Sequence, residues 1–402
     1  MLEAYIYDGL RSPFGRQDGA LSRVRPDDML GDVIKAMVAR TGFEPGSIDD
    51  VNVGCAGQAG EDSRNVARHA LLRAGLPIDI PGSTVNRLCG SGMNSIIQAA
   101  HAITCGEADV VVSGGVESMT RAPFVVGRTE GPFPKSMQWY NSSLGARFPN
   151  PKIEGDFGAD TMPQTADNLA REFQLKREDC DVFALGSQSK YAAAKAAGFF
   201  KDEIHGITVP AAKKGAPDTV VAEDEHPRPE TTMEGLAKLR PIFKDGVTTA
   251  GNASGINDGA AALLIASKDA GDKAGAKPRA RILATGVAGV APRIMGFGPV
   301  PAAKKALERA GLNLKDMDIL EINEAFAAQV LGCCKGLDLA FDDSRINPNG
   351  GAIALGHPLG ASGSRITLTA LRQLERTGGR YALVSMCIGV GQGIAMVIER
   401  VK

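Results

Sequence analysis

The chain has 402 residues, of which 44% are hydrophobic and 23% charged, and its formal net charge is -1. No basic field indicates a nucleic-acid partner or an anionic membrane, and no stretch approaches about 18 uninterrupted apolar residues. The first residues lack the basic-then-apolar pattern of a signal peptide. Seven scattered cysteines, an odd number, suit free thiols in a reducing compartment better than a disulfide framework. We therefore expect a cytoplasmic protein of two or three domains that acts on small molecules.

The first part of the chain, to about residue 120, alternates strand-like and helix-like pieces. They include "EAYIYDG", "DDMLGDVIKAMVAR", "DDVNVGCA", "NVARHALLRAG", "STVNRL" and "ADVVVSGG". Alternation of this kind predicts an α/β fold with a mostly parallel sheet and helices on its faces.

The stretch "VNRLCGSGMNSII" places a cysteine where an extended run breaks into glycines and then into a helical pattern. Thr84 to Leu88 is predicted as a strand, and Cys89 would lie at the start of the next helix. Free backbone N–H groups and the helix dipole there would lower the pKa of Cys89 and favour a thiolate. From this stretch alone, Cys89 could equally be a small buried hydrophobic residue.

Between about Arg121 and Thr248 the strand pattern disappears, and proline, glycine and charge increase. Two helices are predicted there, Met162 to Phe173 and Arg177 to Ala197. Long irregular segments are usually functional or disordered, so we interpret this one as an inserted cover over a site.

The last part of the chain repeats the architecture of the first. A loop containing "CGSG" opens a helix that ends at "CGEADVVVSGG", and "GHPLGASGS" opens a helix that ends at "TGGRYALVSMCIG". Two pseudo-symmetric α/β halves would direct both helix N-termini into one central crevice. Cys89 and His357 would then meet although 268 positions separate them.

Four segments carry unusual residue choices, around Cys89, Asn323, His357 and Cys387. A thiolate nucleophile needs a base and an oxyanion-binding donor set, and a second cysteine could move a proton as acid or base. Each residue also has a plainer interpretation. Asn323 could cap the helix "EAFAAQVL", His357 could be structural, and Cys387 could be core.

Other chemistries fit the pattern less well. The glycines of "GVGQG" resemble a dinucleotide loop, but only nine residues follow it, too few for a nucleotide-binding unit. Cys333 and Cys334 are adjacent and lack a histidine pair, which disfavours zinc. A redox pair of Cys89 and Cys387 lacks the C-x-x-C signature.

Six motifs occur in order along nearly the whole chain, and together they resemble the thiolase family of acetyl-CoA acyltransferases. They are "NRLCGSG", "GGVESMTRAPF", "NASGINDGAAALL", "INEAFA", "NPNGGAIALGHPLGASG" and "CIGVGQG". The resemblance implies a layered fold of two five-stranded α/β halves. These are residues 1–120 with 249–273, and residues 274–402, with a loop domain at 121–248. It also implies a tetramer built from dimers, acyl-CoA and CoA as substrates, and no metal or nucleotide cofactor.

The resemblance further implies a role for each residue of the constellation. Cys89 matches the nucleophile that becomes acylated, and His357 matches the group that activates it and helps hold the thioester oxygen. Cys387 matches the acid/base that protonates the leaving enolate. Asn323 matches the residue that positions an oxyanion-hole water, and Gly389 matches a backbone donor partnered with the N–H of Cys89.

For coenzyme A, Ser254 matches a pantetheine contact, and Met162, Ala325 and Phe326 match apolar walls of its tunnel. One departure is Thr161, which stands where biosynthetic acetoacetyl-CoA members tend to have histidine. It weakens assignment to the short-chain biosynthetic branch.

The stretches "CAGQAGEDSRNVAR", "DEHPRP" and "APRIMGFGP" most resemble bacterial members that act on 3-oxoadipyl-CoA in aromatic-compound breakdown. A carboxylate-bearing substrate would need a cationic partner, for which Arg147 is the first candidate, ahead of Arg121 and Arg293. The alternatives are a broad-specificity acetyltransferase or 3-ketoacyl-CoA thiolase, and a non-catalytic acyl-CoA-binding protein. A decarboxylating ketosynthase would use two histidines with its cysteine, whereas Asn323 and Cys387 hold those positions here.

Overall fold

The computed structural model describes residues 2–129, 131–133 and 135–401. The first part contains β1 (Ala4–Arg11), β2 (Gly15–Arg16), α1 (Pro26–Val38), β3 (Asp50–Gly54), α2 (Val66–Ala74), β4 (Gly82–Val85), α3 (Ser91–Cys105) and β5 (Val110–Ser118). The middle part contains β6 (Phe124–Val126), β7 (Trp139–Asn141), α4 (Pro151–Phe157), α5 (Met162–Glu172), α6 (Arg177–Ala196), β8 (Ile207–Val209), β9 (Thr219–Val221) and α7 (Met233–Ala237). The remainder contains β10 (Asn257–Ala266), α8 (Lys268–Lys273), β11 (Ala280–Gly289), α9 (Pro299–Ala310), β12 (Ile319–Ile322), α10 (Ala327–Gly336), α11 (Ala352–Leu355), α12 (Leu359–Thr377), β13 (Tyr381–Ile388) and β14 (Gln392–Arg400).

The two halves of the chain repeat the same strand pairing. The sheet order is β12-β13-β14-β11-β1-β10-β5-β3-β4, and the halves join where β1 pairs antiparallel with β11. Outward from β1, the pairings are antiparallel, antiparallel, parallel and parallel. Outward from β11 they are antiparallel, antiparallel and parallel, followed by a parallel bridge from Leu320 to Ile346. This shared pattern confirms the predicted pseudo-symmetry, with the fifth strand of the second half reduced to a bridge. The expectation of a mostly parallel sheet is wrong, because five of the eight pairings along the described sheet are antiparallel and the three parallel ones lie at its two ends. The alternation of strands and helices along the chain does not reveal which strands pair.

The core is layered, because alternate strand residues face different helices. Val112 packs with α1 and α2, whereas its neighbour Val111 packs with α3 and α12. In the second half, Val384 faces α12 and Leu383 faces the side of α9 and α10. Helices α3 and α12 are therefore enclosed between strands of both halves, which explains why α3 is apolar on most of its surface.

Both helices predicted for the inserted segment are present, but it also contains the short helices α4 and α7 and four strands that were not predicted. Helices α5 and α6 match the predicted ranges to within one residue. The segment also contains two hairpins, β6 with β7 and β8 with β9. Their strands have three residues each, too few for an alternating pattern to be recognised. The exact domain boundaries stay a prediction.

A buried ion cluster anchors this segment to the first half. Arg11, at the end of β1, is fully buried and pairs with Asp224 at 2.6 Å and with Glu203 at 2.5 Å. Such a guanidinium is tolerated in a core because several acceptors replace its water. Across the described ranges, we find no helix with the length and apolarity needed to span a membrane.

Candidate active site

Cys89 lies in a tight turn between β4 and α3. The strand ends at Val85, so the predicted strand to Leu88 is wrong in its second half. Leu88 has a positive φ of 47°, which turns the chain sharply before the cysteine. The Ser91 hydroxyl holds this turn, since it accepts from the Arg87 N–H at 2.8 Å and donates to the Leu88 carbonyl at 2.6 Å.

The backbone N–H groups of Cys89 and Gly389 act on the Cys89 thiol and favour its charged form. Cys89 is only partly exposed, and burial of its thiol raises the pKa of Cys89 to about 11 against the effect of both donors. The expected lowering is therefore wrong for the ligand-free protein. Desolvation of the charged form outweighs the helix terminus here. At neutral pH the Cys89 side chain is therefore expected to be a protonated thiol.

His357 lies at the equivalent place in the second half, just before α12, and the two helices cross closely. A Cβ at Gly92 would collide with the Gly360 carbonyl oxygen, and a Cβ at Gly363 with the backbone of Met93. Only glycine permits this backbone approach. The segments that carry Cys89 and His357 are therefore packed against each other, as the pseudo-symmetry predicted.

The His357 side chain is buried, and only one of its two ring nitrogens has a hydrogen-bond partner among the described residues. Its Nδ1 lies 2.6 Å from the Ser362 Oγ, and its backbone N–H donates to Asn257 Oδ1 at 3.0 Å. Its Nε2 has no partner among the described residues. Burial and the nearby Arg365 charge lower the pKa of His357 to about 3. The ring is thus a neutral base with one nitrogen available.

Cys387 and Asn323 belong to the second half of the molecule. Cys387 lies on β13, near Cys89, and Asn323 directly follows the neighbouring strand β12. Burial raises the pKa of Cys387 well above its usual value, and its neighbours Cys89 and Cys333 raise it further. The Asn323 N–H donates to the Ser385 carbonyl at 3.0 Å. Both polar side-chain atoms of Asn323 are buried without a partner among the described residues.

The alternative role of Asn323 as a helix cap is wrong. Helix α10 begins at Ala327, and Phe326 occupies the capping position. An unpartnered buried amide is costly unless water or a ligand satisfies it. The side chain of Asn323 therefore offers two unsatisfied polar atoms, and its role in positioning a water stays a prediction.

The four residues matched to coenzyme A lie near one another or near Cys387 and Gly389. The Ser254 N–H donates to the Ala325 carbonyl at 3.0 Å, and Phe326 shares an apolar cluster with Ala325 and Cys387. The Met162 sulfur lies 3.7 Å from where a Cβ on Gly389 would stand. Met162 is 37% exposed, so it forms part of the rim rather than a closed wall.

Two of the three arginine candidates are already held by carboxylates. Arg121 donates to Glu61 at 2.6 Å, and Arg293 donates to Asp160 at 2.6 Å, so both charges are already neutralised. Burial raises the pKa of Asp62, and the nearby Arg147 charge opposes that rise. Among the described residues, no recorded hydrogen bond or ion pair joins Arg147 to the catalytic group.

Sequence reasoning missed two buried polar residues that hold the site. Glu117 accepts from the backbone N–H groups of Ala56 at 3.0 Å, Gly57 at 2.9 Å and Gly360 at 2.9 Å, and so ties both halves together. Its signal was a carboxylate at the end of the apolar run "DVVVSGGVES". Ser362, five positions after His357, has no comparable signal in the sequence.

All seven cysteines are free. In the part of the chain that the structure describes, no group of three or more His, Cys, Asp or Glu residues is arranged to hold a metal ion. The expectation that no metal or nucleotide cofactor is needed stays a prediction.

Known proteins share both the sequence and the fold. The Beta-ketoadipyl-CoA thiolase of Acinetobacter baylyi is 56% identical over 403 residues, covering 100% of each chain. The 3-oxoadipyl-CoA/3-oxo-5,6-dehydrosuberyl-CoA thiolase of Escherichia coli is 53% identical with the same coverage. The crystal structure of human mitochondrial 3-ketoacyl-CoA thiolase in complex with CoA superposes with a TM-score of 0.91 at 44% identity, covering 100% of this chain and 98% of that one. Residues 4–269 match the thiolase N-terminal domain and residues 276–400 the thiolase C-terminal domain. The chain therefore belongs to the thiolase family.

Proposed function

We propose that this thiolase cleaves 3-oxoadipyl-CoA with coenzyme A to give succinyl-CoA and acetyl-CoA. The observation that carries the proposal is full-length identity of 53% and 56% to relatives named for this substrate, against 44% for the human 3-ketoacyl-CoA thiolase. The absence of histidine at Thr161 supports the same choice against the short-chain biosynthetic branch.

The reaction begins with proton transfer from the Cys89 thiol to Nε2 of His357. The thiolate attacks the 3-keto carbon, and the C2–C3 bond breaks as the tetrahedral intermediate collapses. Cys387 protonates the acetyl-CoA enolate that leaves, and the succinyl group stays on Cys89. The raised pKa of Cys387 supports this role, because a donor must hold its proton at neutral pH.

Coenzyme A then removes the succinyl group. Its thiol proton passes to the Cys387 thiolate, its sulfur attacks the thioester, and Cys89 leaves and recovers the proton held by His357. The backbone N–H groups of Cys89 and Gly389, which both favour negative charge on the Cys89 sulfur, would bind the oxyanion of this step. A water held by Asn323 would act with His357 on the thioester oxygen.

The decisive experiment compares kcat/KM for 3-oxoadipyl-CoA, acetoacetyl-CoA and a longer 3-ketoacyl-CoA, with Cys89→Ala as the blank. Preference for the first substrate by about tenfold or more, about 1.4 kcal/mol, is expected. Equal values would replace the proposal with a broad-specificity thiolase. Binding of coenzyme A without turnover of any of the three would instead indicate a non-catalytic acyl-CoA-binding protein.

We propose Arg147 as the partner of the substrate carboxylate. Its charge is felt by the buried Asp62, whereas Arg121 and Arg293 are occupied by Glu61 and Asp160. Arg147→Ala should raise KM for 3-oxoadipyl-CoA far more than for acetoacetyl-CoA, and Arg293→Ala is the control that should change neither. Equal effects of Arg147→Ala on both substrates would remove it from the specificity argument.

We propose a cytoplasmic homotetramer built from dimers. The seven free cysteines suit a reducing compartment. Around the β6–β7 hairpin, Phe124, Phe133 and Trp139 are 67%, 92% and 62% exposed, and a cluster of exposed aromatic side chains marks an interaction surface. Light scattering should give four times the mass of the chain. Phe124→Asp combined with Trp139→Asp should reduce it to two, and a monomeric wild-type protein would contradict the proposal.

A further inference from the structure

The contacts of Ser362 favour one of the two neutral tautomers of His357. The Ser362 Oγ lies 2.9 Å from the Pro358 carbonyl oxygen and 2.6 Å from Nδ1 of His357. A hydroxyl has one hydrogen, and a carbonyl oxygen can only accept. Ser362 therefore donates to Pro358 and accepts from His357. When both contacts are hydrogen bonds, Nδ1 carries the hydrogen of the neutral ring.

The other nitrogen is then left with a lone pair. Nε2 of His357 is buried and has no hydrogen-bond partner among the described residues. The backbone on both sides restricts the ring, because the His357 N–H is bound to Asn257 and the next residue is Pro358. An oriented imidazole with a free Nε2 lone pair is the form that can accept a thiol proton.

We propose that Ser362 is a positioning residue that holds His357 as the Nδ1–H tautomer and aims Nε2 at the reacting groups. The proposal rests on the proposed function, in which Nε2 takes the Cys89 proton. In Ser-His-Asp enzymes a carboxylate orients the histidine and also stabilises the imidazolium. A serine orients the ring without adding negative charge, which favours a resting pair of neutral thiol and neutral imidazole.

The test uses two serines of α12 that are both fully buried. Ser362→Ala removes the acceptor of Nδ1–H, whereas Ser364→Ala makes the same chemical change at a hydroxyl that has no partner among the described residues. For Ser362→Ala we expect kcat to fall by roughly 10²- to 10⁴-fold, the upper end being the effect of a wrong tautomer in serine proteases. KM for coenzyme A should change less than threefold, and Ser364→Ala should keep kcat within about threefold.

The tautomer itself is read by ¹⁵N NMR of histidine-labelled protein, with the His357 signals assigned by their loss in His357→Gln. The wild-type protein should show a protonated Nδ1 and a bare Nε2, and Ser362→Ala should populate the opposite tautomer. A wild-type spectrum with Nε2–H, or equal loss of kcat in both serine variants, would overturn the proposal. The wild-type spectrum needs neither a variant nor turnover. Full turnover by His357→Gln would instead contradict the proposed function and leave the tautomer result standing.

Discussion

Cys89 and His357 occupy equivalent positions in the two halves of the molecule, yet their surroundings differ. Each follows the outermost parallel pairing of its half and precedes the central helix, α3 or α12. Cys89 is partly exposed, and the groups that favour its charged form are backbone N–H groups. His357 is buried, and its ring is bound by a side chain, Ser362.

This difference shows that the repeated architecture decides where a reactive group stands, while local contacts decide what it can do. Both residues lie at helix N-termini, where the dipole favours negative charge and disfavours positive charge. The dipole alone does not produce a thiolate at Cys89, because desolvation is larger. At His357, desolvation and the nearby Arg365 charge act in the same direction and keep the ring neutral.

The largest expected effect comes from removing each of the two groups in turn. Cys89→Ala removes the proposed nucleophile, and kcat/KM should fall on the order of 10⁶-fold, as for other enzymes that lose theirs. His357→Ala removes a general base but leaves the thiol, so a loss of about 10²- to 10⁴-fold is expected. Steady-state thiolysis measures both variants. Wild-type activity in Cys89→Ala would reject the acyl-cysteine mechanism, and an undiminished rate in His357→Ala would reject the base.

A second variant tests the close crossing that joins the two positions. Gly92→Ala would drive a methyl group into the Gly360 carbonyl, and such overpacking should lower the free energy of unfolding by about 1–3 kcal/mol. Gly186, inside α6, has no atom within 4 Å of the added group. Gly186→Ala should therefore raise the free energy of unfolding by about 0.5–1 kcal/mol through helix propensity.

Urea denaturation measures both glycine variants. If Gly92→Ala were as stable as Gly186→Ala, the two helices could not be packed as closely as the structure places them.

The smallest expected effect is spectroscopic and concerns the resting charge of the pair. Because burial raises the pKa of Cys89 to about 11, thiolate should form only as the pH rises beyond about 9, later than for an ordinary cysteine. The difference in ultraviolet thiolate absorbance between wild type and Cys89→Ala follows this titration. A thiolate signal already present at pH 7 would show a thiolate–imidazolium pair instead.

The sequence by itself determined the fold class, the repeated halves, the helices α5 and α6, and the residues that carry the chemistry. Local periodicity and the order of six motifs contain that information. The periodicity depends on neighbouring residues within one helix or strand. The motifs combine residue types that seldom occur together for a purely structural reason. The hairpins of the inserted segment were missed because their strands are shorter than the pattern that reveals a strand.

Only the tertiary structure decided the protonation of Cys89, the unpartnered amide of Asn323, and the contacts of Glu117 and Ser362. Burial and hydrogen-bond satisfaction depend on groups far apart in sequence. Glu117, for example, bonds to Gly360 across 243 positions. A helix N-terminus can be predicted from a few residues, but the desolvation that opposes it arises only when the two halves close around the thiol.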